Sequence, residues 1–130
     1  MIVADSSVWI DYFNGVATGQ TDCLDTLLGE ELVLMGDIIL TEVLQGFRHD
    51  SDFRKANRYL ITLDCATMLN RDVAVKSALN YRRLRKKGIT VRKTIDVMIA
   101  TFCIESNLAL LHSDKDFEPM SKHLSLKSVL

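Results

Sequence analysis

The sequence predicts an α/β fold, one domain over residues 1–130 with a central parallel sheet of four to five short strands flanked by helices. Short aliphatic runs at residues 2–4, 32–35 and 108–111 alternate with longer stretches whose apolar residues recur every three or four positions. Such alternation returns each strand to the same side of a parallel sheet. A length of 130 residues suits one domain, since a chain of that size buries roughly two-thirds of its unfolded surface without disulfides or structural metals. The residues are 48% apolar and 25% charged, enough for a full core and unlike a disordered segment. Repeats, low-complexity tracts and linkers are absent, and the only proline, Pro119, lies near the end.

The β-branched opening Ile2-Val3-Ala4 suits a buried strand. Ser6 or Ser7 can then cap a helix carrying Val8, Trp9, Tyr12 and Phe13, which Asn14-Gly15 ends. Core packing is the leading reading of those three aromatics, and a partner surface is the alternative. Leu24, Leu27 and Leu28 predict a helix over 21–28, Gly29 ends it, and a strand follows at 32–35. Helices over 38–47 and 51–60 lead into a short strand at 61–63. Residues 71–87 read as a helix with Val75, Ala78, Leu79 and Leu84 on one side, terminated by Gly88. Thr94 can cap a helix over 95–105, where Ile95, Met98, Ile99 and Phe102 recur, and Asn107 stops it. After the strand at 108–111 come a polar turn, a helix over 117–122 and a last strand at 125–127.

Net charge is −1, so binding of a polyanion requires local basic patches. Cys23, Cys65 and Cys103 are odd in number and form no C-x-x-C pair, which argues against a disulfide framework or a zinc site and for small core residues in a reducing cytosol. The start Met-Ile-Val-Ala-Asp lacks the basic head of a signal peptide, and no apolar run approaches the roughly 18 residues of a membrane span. The expectation is a soluble, cytoplasmic protein.

Four acids, Asp5, Glu42, Asp96 and Asp114, sit against or inside apolar stretches, and Asp116 stands two residues beyond the last. An uncompensated charge in such a setting costs several kcal/mol, so these acids need partners. Each has a plain structural role open to it: Asp5 can cap a helix, Asp96 can compensate a helix dipole, and Asp114 or Asp116 can make an Asx-turn. Capping does not explain Glu42, which lies mid-helix among aliphatics. Asp5 and Asp114 both follow strand ends, where open parallel sheets build their sites. Glu42 and Asp96 stand three or four residues from Ile38, Ile39, Ile99 and Ala100, near core-facing helical positions.

A single shared anionic site accounts for all four acids together. Like charges about 4 Å apart repel by roughly 4 kcal/mol at an effective dielectric near 20, so clustered carboxylates require a cation. Oxygen-only ligation selects Mg²⁺ or Mn²⁺, one or two ions, which share carboxylates with substrate phosphate. Phosphodiester hydrolysis is the chemistry such a site supports.

The segments Ala4-Asp5-Ser6-Ser7-Val8-Trp9-Ile10-Asp11, Thr41-Glu42-Val43-Leu44-Gln45-Gly46, Thr94-Ile95-Asp96-Val97-Met98-Ile99-Ala100 and Leu111-His112-Ser113-Asp114-Lys115-Asp116-Phe117, in that order, resemble the PIN-domain ribonucleases, most closely the VapC-type toxins. The resemblance spans nearly the whole chain. It implies a PIN-like fold and a metal-dependent endoribonuclease with catalytic acids at Asp5, Glu42, Asp96 and Asp114. It also implies metal ligation by Asp5, Asp96 and Asp114, with Asp116 as an additional ligand or an alternative to Asp114. Ser6 or Ser7 and Thr94 match residues that hold water or phosphate, with helix capping as the alternative.

Arg82, Arg83, Arg85, Lys86, Lys87, Arg92 and Lys93 supply a local basic patch, either for RNA phosphates or as a solvated helix end, with Arg92 nearest the Asp96 motif. Arg92 can also pair with a site carboxylate. The resemblance further implies a homodimer and a VapB-type antitoxin that lays an amphipathic segment near the site. His49, His112 and His123, and the acids Asp11, Asp22, Asp25 and Asp37, read as structural or surface residues. The competing functions are a receiver-like or phosphotransfer domain and a non-catalytic interaction module. A receiver requires a phosphoacceptor Asp after its third strand.

Overall fold

The computed structural model describes all residues, 1–130. Five parallel strands, β1 (Ile2–Ala4), β2 (Val33–Gly36), β3 (Cys65–Ala66), β4 (Ala109–Leu111) and β5 (Ser128–Val129), form one sheet in the order β3-β2-β1-β4-β5. Seven helices connect them: α1 (Ser6–Phe13), α2 (Gly19–Gly29), α3 (Asp37–Gln45), α4 (Asp50–Leu60), α5 (Arg71–Lys86), α6 (Thr94–Glu105) and α7 (Glu118–Leu124), with a 3-10 turn at Lys115–Phe117. Central β1 pairs Ile2 with Val33 on one side and Ile2 with Ala109 on the other. The chain therefore reverses its direction of travel across the sheet between β1 and β4, the position at which doubly wound sheets open a crevice beyond the strand ends.

Val3, Ala4, Met35, Leu110 and Leu111 are buried in the strands, packed with Trp9 of α1, Ile39 of α3 and Ile99 of α6. Helix α6 is apolar nearly all round, with Val97, Ile99, Ala100, Thr101, Phe102 and Cys103 buried, as expected of a helix covered on several sides. Burial pushes the Cys103 thiol up to about 12, so this cysteine is an inert core group. Gly36 ends β2 where a Cβ would overlap the Met68 thioether, so the β2–α3 junction requires a glycine or a displaced Met68.

Several boundaries differ from the sequence reading, each for a local reason. Asp5, not Ser6 or Ser7, is the N-cap of α1. Helix α2 begins at Gly19 because Thr18 and Thr21 form a reciprocal capping box. The strand expected at 61–63 lies instead at Cys65–Ala66, because Thr62 N–H and Leu63 N–H bond back to Tyr59 O and Leu60 O and close the end of α4. Ile61 is consequently 76% exposed. The last strand begins at Ser128 rather than 125, because Ser125 adopts φ 67° at the end of α7 and turns the chain before it can extend. Thr94 is the first residue of α6 rather than its cap; Lys93 takes the cap position without a side-chain bond.

In α5 the buried face carries Val73, Ser77 and Leu84, whereas Val75 and Leu79 are 56% and 55% exposed. Small Ser77 and the Asn80 amide, which donates to buried Thr101 Oγ1 at 3.0 Å, form the seam with α6 and turn the Val75–Leu79 face outward. Gly88 at φ 79° and Asn107 at φ 54° end α5 and α6 as expected. No helix is long and apolar enough to cross a membrane.

Candidate active site

Asp5 leaves β1 directly into the crevice and is buried. Its Oδ2 accepts from Ser7 Oγ at 2.6 Å and from Ser7 N–H at 3.3 Å, so Ser7 orients the carboxylate while the carboxylate caps α1. Capping and membership of the acid group are thus both features of this one side chain. Asp114, three residues beyond β4, caps the 3-10 turn by accepting from Asp116 N–H at 2.9 Å. Asp116 in turn receives Arg92 Nη2 on both of its oxygens at 3.0 Å.

Asp96 lies in the first turn of α6 and is only 6% exposed, and its Oδ2 is buried without a hydrogen-bond partner. One carboxylate oxygen from each of Asp96, Asp114 and Asp116 lies within 4.8 Å of the others. Burial, then the Asp5 charge and more weakly those of Asp114 and Glu42, push the Asp96 carboxyl up to about 7, against the pull of Lys93. Glu42, half-buried on α3, is likewise raised by burial and by Asp5, with Ser6 and Lys93 acting the other way. Its Oε1 is also buried and unpartnered.

All five acids singled out in the sequence therefore converge on one edge of the sheet. The tight trio is Asp96, Asp114 and Asp116. Asp5 and Glu42 stand outside it and act on it through charge. Ser6 sits beside Glu42, Ser7 beside Asp5, and Arg92 beside Asp116. Thr94 instead lines a cavity on the α5 side with Arg82, Arg85 and Met98.

Lys93 was not distinguished from its basic neighbours in the sequence, although its charge reaches both Glu42 and Asp96; its place three residues before Asp96 was the available signal. Asp37 is more than a turn acid, since its Oδ1 accepts from Ile38 N–H at 2.9 Å and Met68 N–H at 3.0 Å and ties the β3–α5 link to the start of α3. His112 bonds Ser128 Oγ at 2.9 Å and packs on Phe117 at a ring separation of 5.0 Å, a structural role. The residues after β3 are Thr67-Met68-Leu69-Asn70, so a receiver's phosphoacceptor carboxylate is missing.

The donor set fits a hard divalent cation. It is oxygen-only, it concentrates negative charge, and it leaves one buried carboxylate oxygen of Asp96 unsatisfied, a costly arrangement without a cation.

Comparison with known proteins agrees with this geometry. The PIN domain family model matches residues 2–122. VapC ribonuclease Mb1587 of Mycobacterium bovis and ribonuclease VapC11 of Mycobacterium tuberculosis are each 32% identical to the chain, over 98% of its length and 97% of theirs. Among solved structures, VapBC2 from Rickettsia felis bound to a DNA fragment from its promoter superposes with a TM-score of 0.79 at 17% identity, covering 99% of this chain and 98% of that one. FitAcB from Neisseria gonorrhoeae gives 0.75 at 15% identity, covering 100% and 97%. These two show the shared fold. Because the matched span contains every acid of the site and the closely matching relatives run the full length of the chain, this protein belongs to the PIN-domain family, among the VapC ribonucleases.

Proposed function

We propose that the chain is a metal-dependent endoribonuclease, the toxin of a toxin–antitoxin pair, and that Asp96, Asp114 and Asp116 hold Mg²⁺ or Mn²⁺. The carrying observation is the carboxylate trio within 4.8 Å, built around a buried, unpartnered oxygen of Asp96. A divalent ion bound there would supply Lewis-acid polarisation of a phosphoryl oxygen. Asp5, fixed by Ser7, contributes the charge that keeps the cluster selective for a cation.

The Glu42 carboxylate is assigned to take the proton from the attacking water, since burial and the Asp5 charge raise its pKa above that of an ordinary glutamate and make it a stronger base. Water attacks phosphorus and gives one proton to Glu42 with Ser6 alongside, the bond from phosphorus to the 3′ oxygen breaks, and the departing 3′ oxygen takes a proton from solvent. Arg92 and Lys93 border the trio and meet the RNA backbone, and Arg82 and Arg85 of α5 with Thr94 of α6 extend that contact along the cleft between the two helices.

The antitoxin is of VapB type. Ile10, Phe13 and Phe47 line an open apolar groove between α1 and α3, where Phe13 and Phe47 meet edge to face at 5.8 Å, and this is the surface assigned to it. Exposed Val75 and Leu79 on α5 and Ile95 on α6 are assigned to self-association as a homodimer.

The test is incubation of purified protein with cellular RNA and Mn²⁺, with mapping of new 5′ ends. New ends that vanish with a chelator and fall about 10²–10⁴-fold in rate in Glu42→Gln are expected. Cleavage indifferent to the chelator, or undiminished in Glu42→Gln, would reject the assignment.

A further inference from the structure

The Arg92–Asp116 pair joins an exposed cation to a largely enclosed anion. Arg92 has a side chain 73% exposed and lies in the irregular link between Gly88 and α6, whereas the Asp116 side chain is 22% exposed and its N–H is tied to Asp114. The guanidinium therefore has solvent to swing into, whereas the carboxylate is enclosed and its backbone is anchored at the 3-10 turn. A single nitrogen, Nη2, contacts both Asp116 oxygens, and an arginine Nη2 and a divalent cation ligated by Asp116 would compete for the same lone pairs and repel each other. Beside them, a cavity of about 80 Å³ is bordered by Arg92, Lys93, Lys115, Asp96 and Asp116, so an incoming phosphate enters at the cationic side of the pair. Phosphate accepts a guanidinium at least as well as carboxylate does.

We infer that Arg92 is an internal counter-cation of the trio: it holds Asp116 in the free protein and moves to an RNA phosphate on binding, which frees Asp116 for the divalent ion. This rests on the metal-dependent ribonuclease reading above. Arg92 is then a positioning residue that makes metal and RNA binding cooperative, and linkage requires the coupling to act equally in both directions.

The test measures Mn²⁺ binding by the resonance of free Mn²⁺, with and without a mixed-sequence single-stranded RNA 20-mer. The full chain carries Glu42→Gln to prevent turnover, with Arg92 present or replaced by Gln. Without RNA, Arg92→Gln is expected to bind Mn²⁺ about tenfold more tightly than the Arg92 protein. RNA is expected to tighten Mn²⁺ binding about tenfold when Arg92 is present and by a clearly smaller factor when it is Gln. Equal tightening by RNA in both proteins, or Mn²⁺ binding that is unchanged or weaker in Arg92→Gln without RNA, would overturn the inference while leaving the metal site intact. Failure of both proteins to bind Mn²⁺ under either condition would overturn the metal reading and this inference with it.

Discussion

Asp96→Asn is expected to reduce RNA cleavage by about a hundredfold or more and, in the metal-free protein above pH 7, to increase stability. The loss of activity follows if Asp96 is the metal ligand proposed above. Changes to residues that merely orient a metal ligand cost 10–100-fold, and a direct ligand costs at least as much. The stability gain follows from linkage. Burial first, and the Asp5 charge second, raise the Asp96 carboxyl from 3.8 to about 7, so the folded protein holds this proton more tightly than the unfolded chain. The contribution to stability is complete below about pH 4 and is lost as pH rises through about 7. A shift of that size is on the order of 4 kcal/mol, of which an amide that still lacks partners recovers about 1–3 kcal/mol. Urea unfolding of metal-free protein between pH 4 and 8 should show this part of the pH dependence in the parent and not in Asp96→Asn. Parallel profiles, or a variant less stable at pH 8, would contradict the burial of charge at this position.

Trp9→Ala is expected to destabilise the protein by about 3–5 kcal/mol, a large part of the 5–15 kcal/mol typical of a domain. Trp9 is fully buried, stacks on Phe13 at 5.9 Å and meets Tyr12 edge-on at 6.1 Å, so its removal opens a cavity beneath the helix that Asp5 caps. Thermal unfolding should fall by roughly 10–20 °C. Trp9→Phe, which keeps an aromatic ring in contact with Phe13 and removes an indole N–H that finds no partner, should lose much less. An alanine variant within a few degrees of the parent would show that α1 is held by its cap and neighbours rather than by this ring.

The architecture was legible because its signals are local. Ile2-Val3-Ala4 and Ala109-Leu110-Leu111 are too short and too apolar to be anything but central strands, and α6 declares itself by apolar spacing. The misplaced strands failed for the opposite reason. Cys65–Ala66 and Ser128–Val129 are two residues long, and their positions are set by how the preceding helices end, through the Leu60–Leu63 turn and the left-handed Ser125. The sequence reading of α5 holds at Leu84 but points Val75, Ala78 and Leu79 inward, because these are more apolar than Ser77 and Asn80. The seam with α6 is set instead by the small Ser77 and by the bond from Asn80 to Thr101, a tertiary contact invisible in one helix's periodicity.

The acids were legible as a group because carboxylates embedded in aliphatic sequence are hard to explain singly. Their division into a close trio with Asp5 and Glu42 outside it is a matter of distances between elements far apart in the chain. The influence of Lys93 on Glu42 and Asp96 likewise spans α3 and α6 and has no counterpart in a linear pattern.

The central claim is that three carboxylates from two separated parts of the chain, Asp96 buried and Asp114 and Asp116 half-buried, share one divalent ion. Crystals of the protein grown with Mn²⁺ and measured at a wavelength where manganese scatters anomalously test it most directly. A peak bounded by Asp96, Asp114 and Asp116, lost in Asp96→Asn, is the expected result; a fully ordered trio with no peak, or a peak ligated elsewhere on the surface, would contradict the claim.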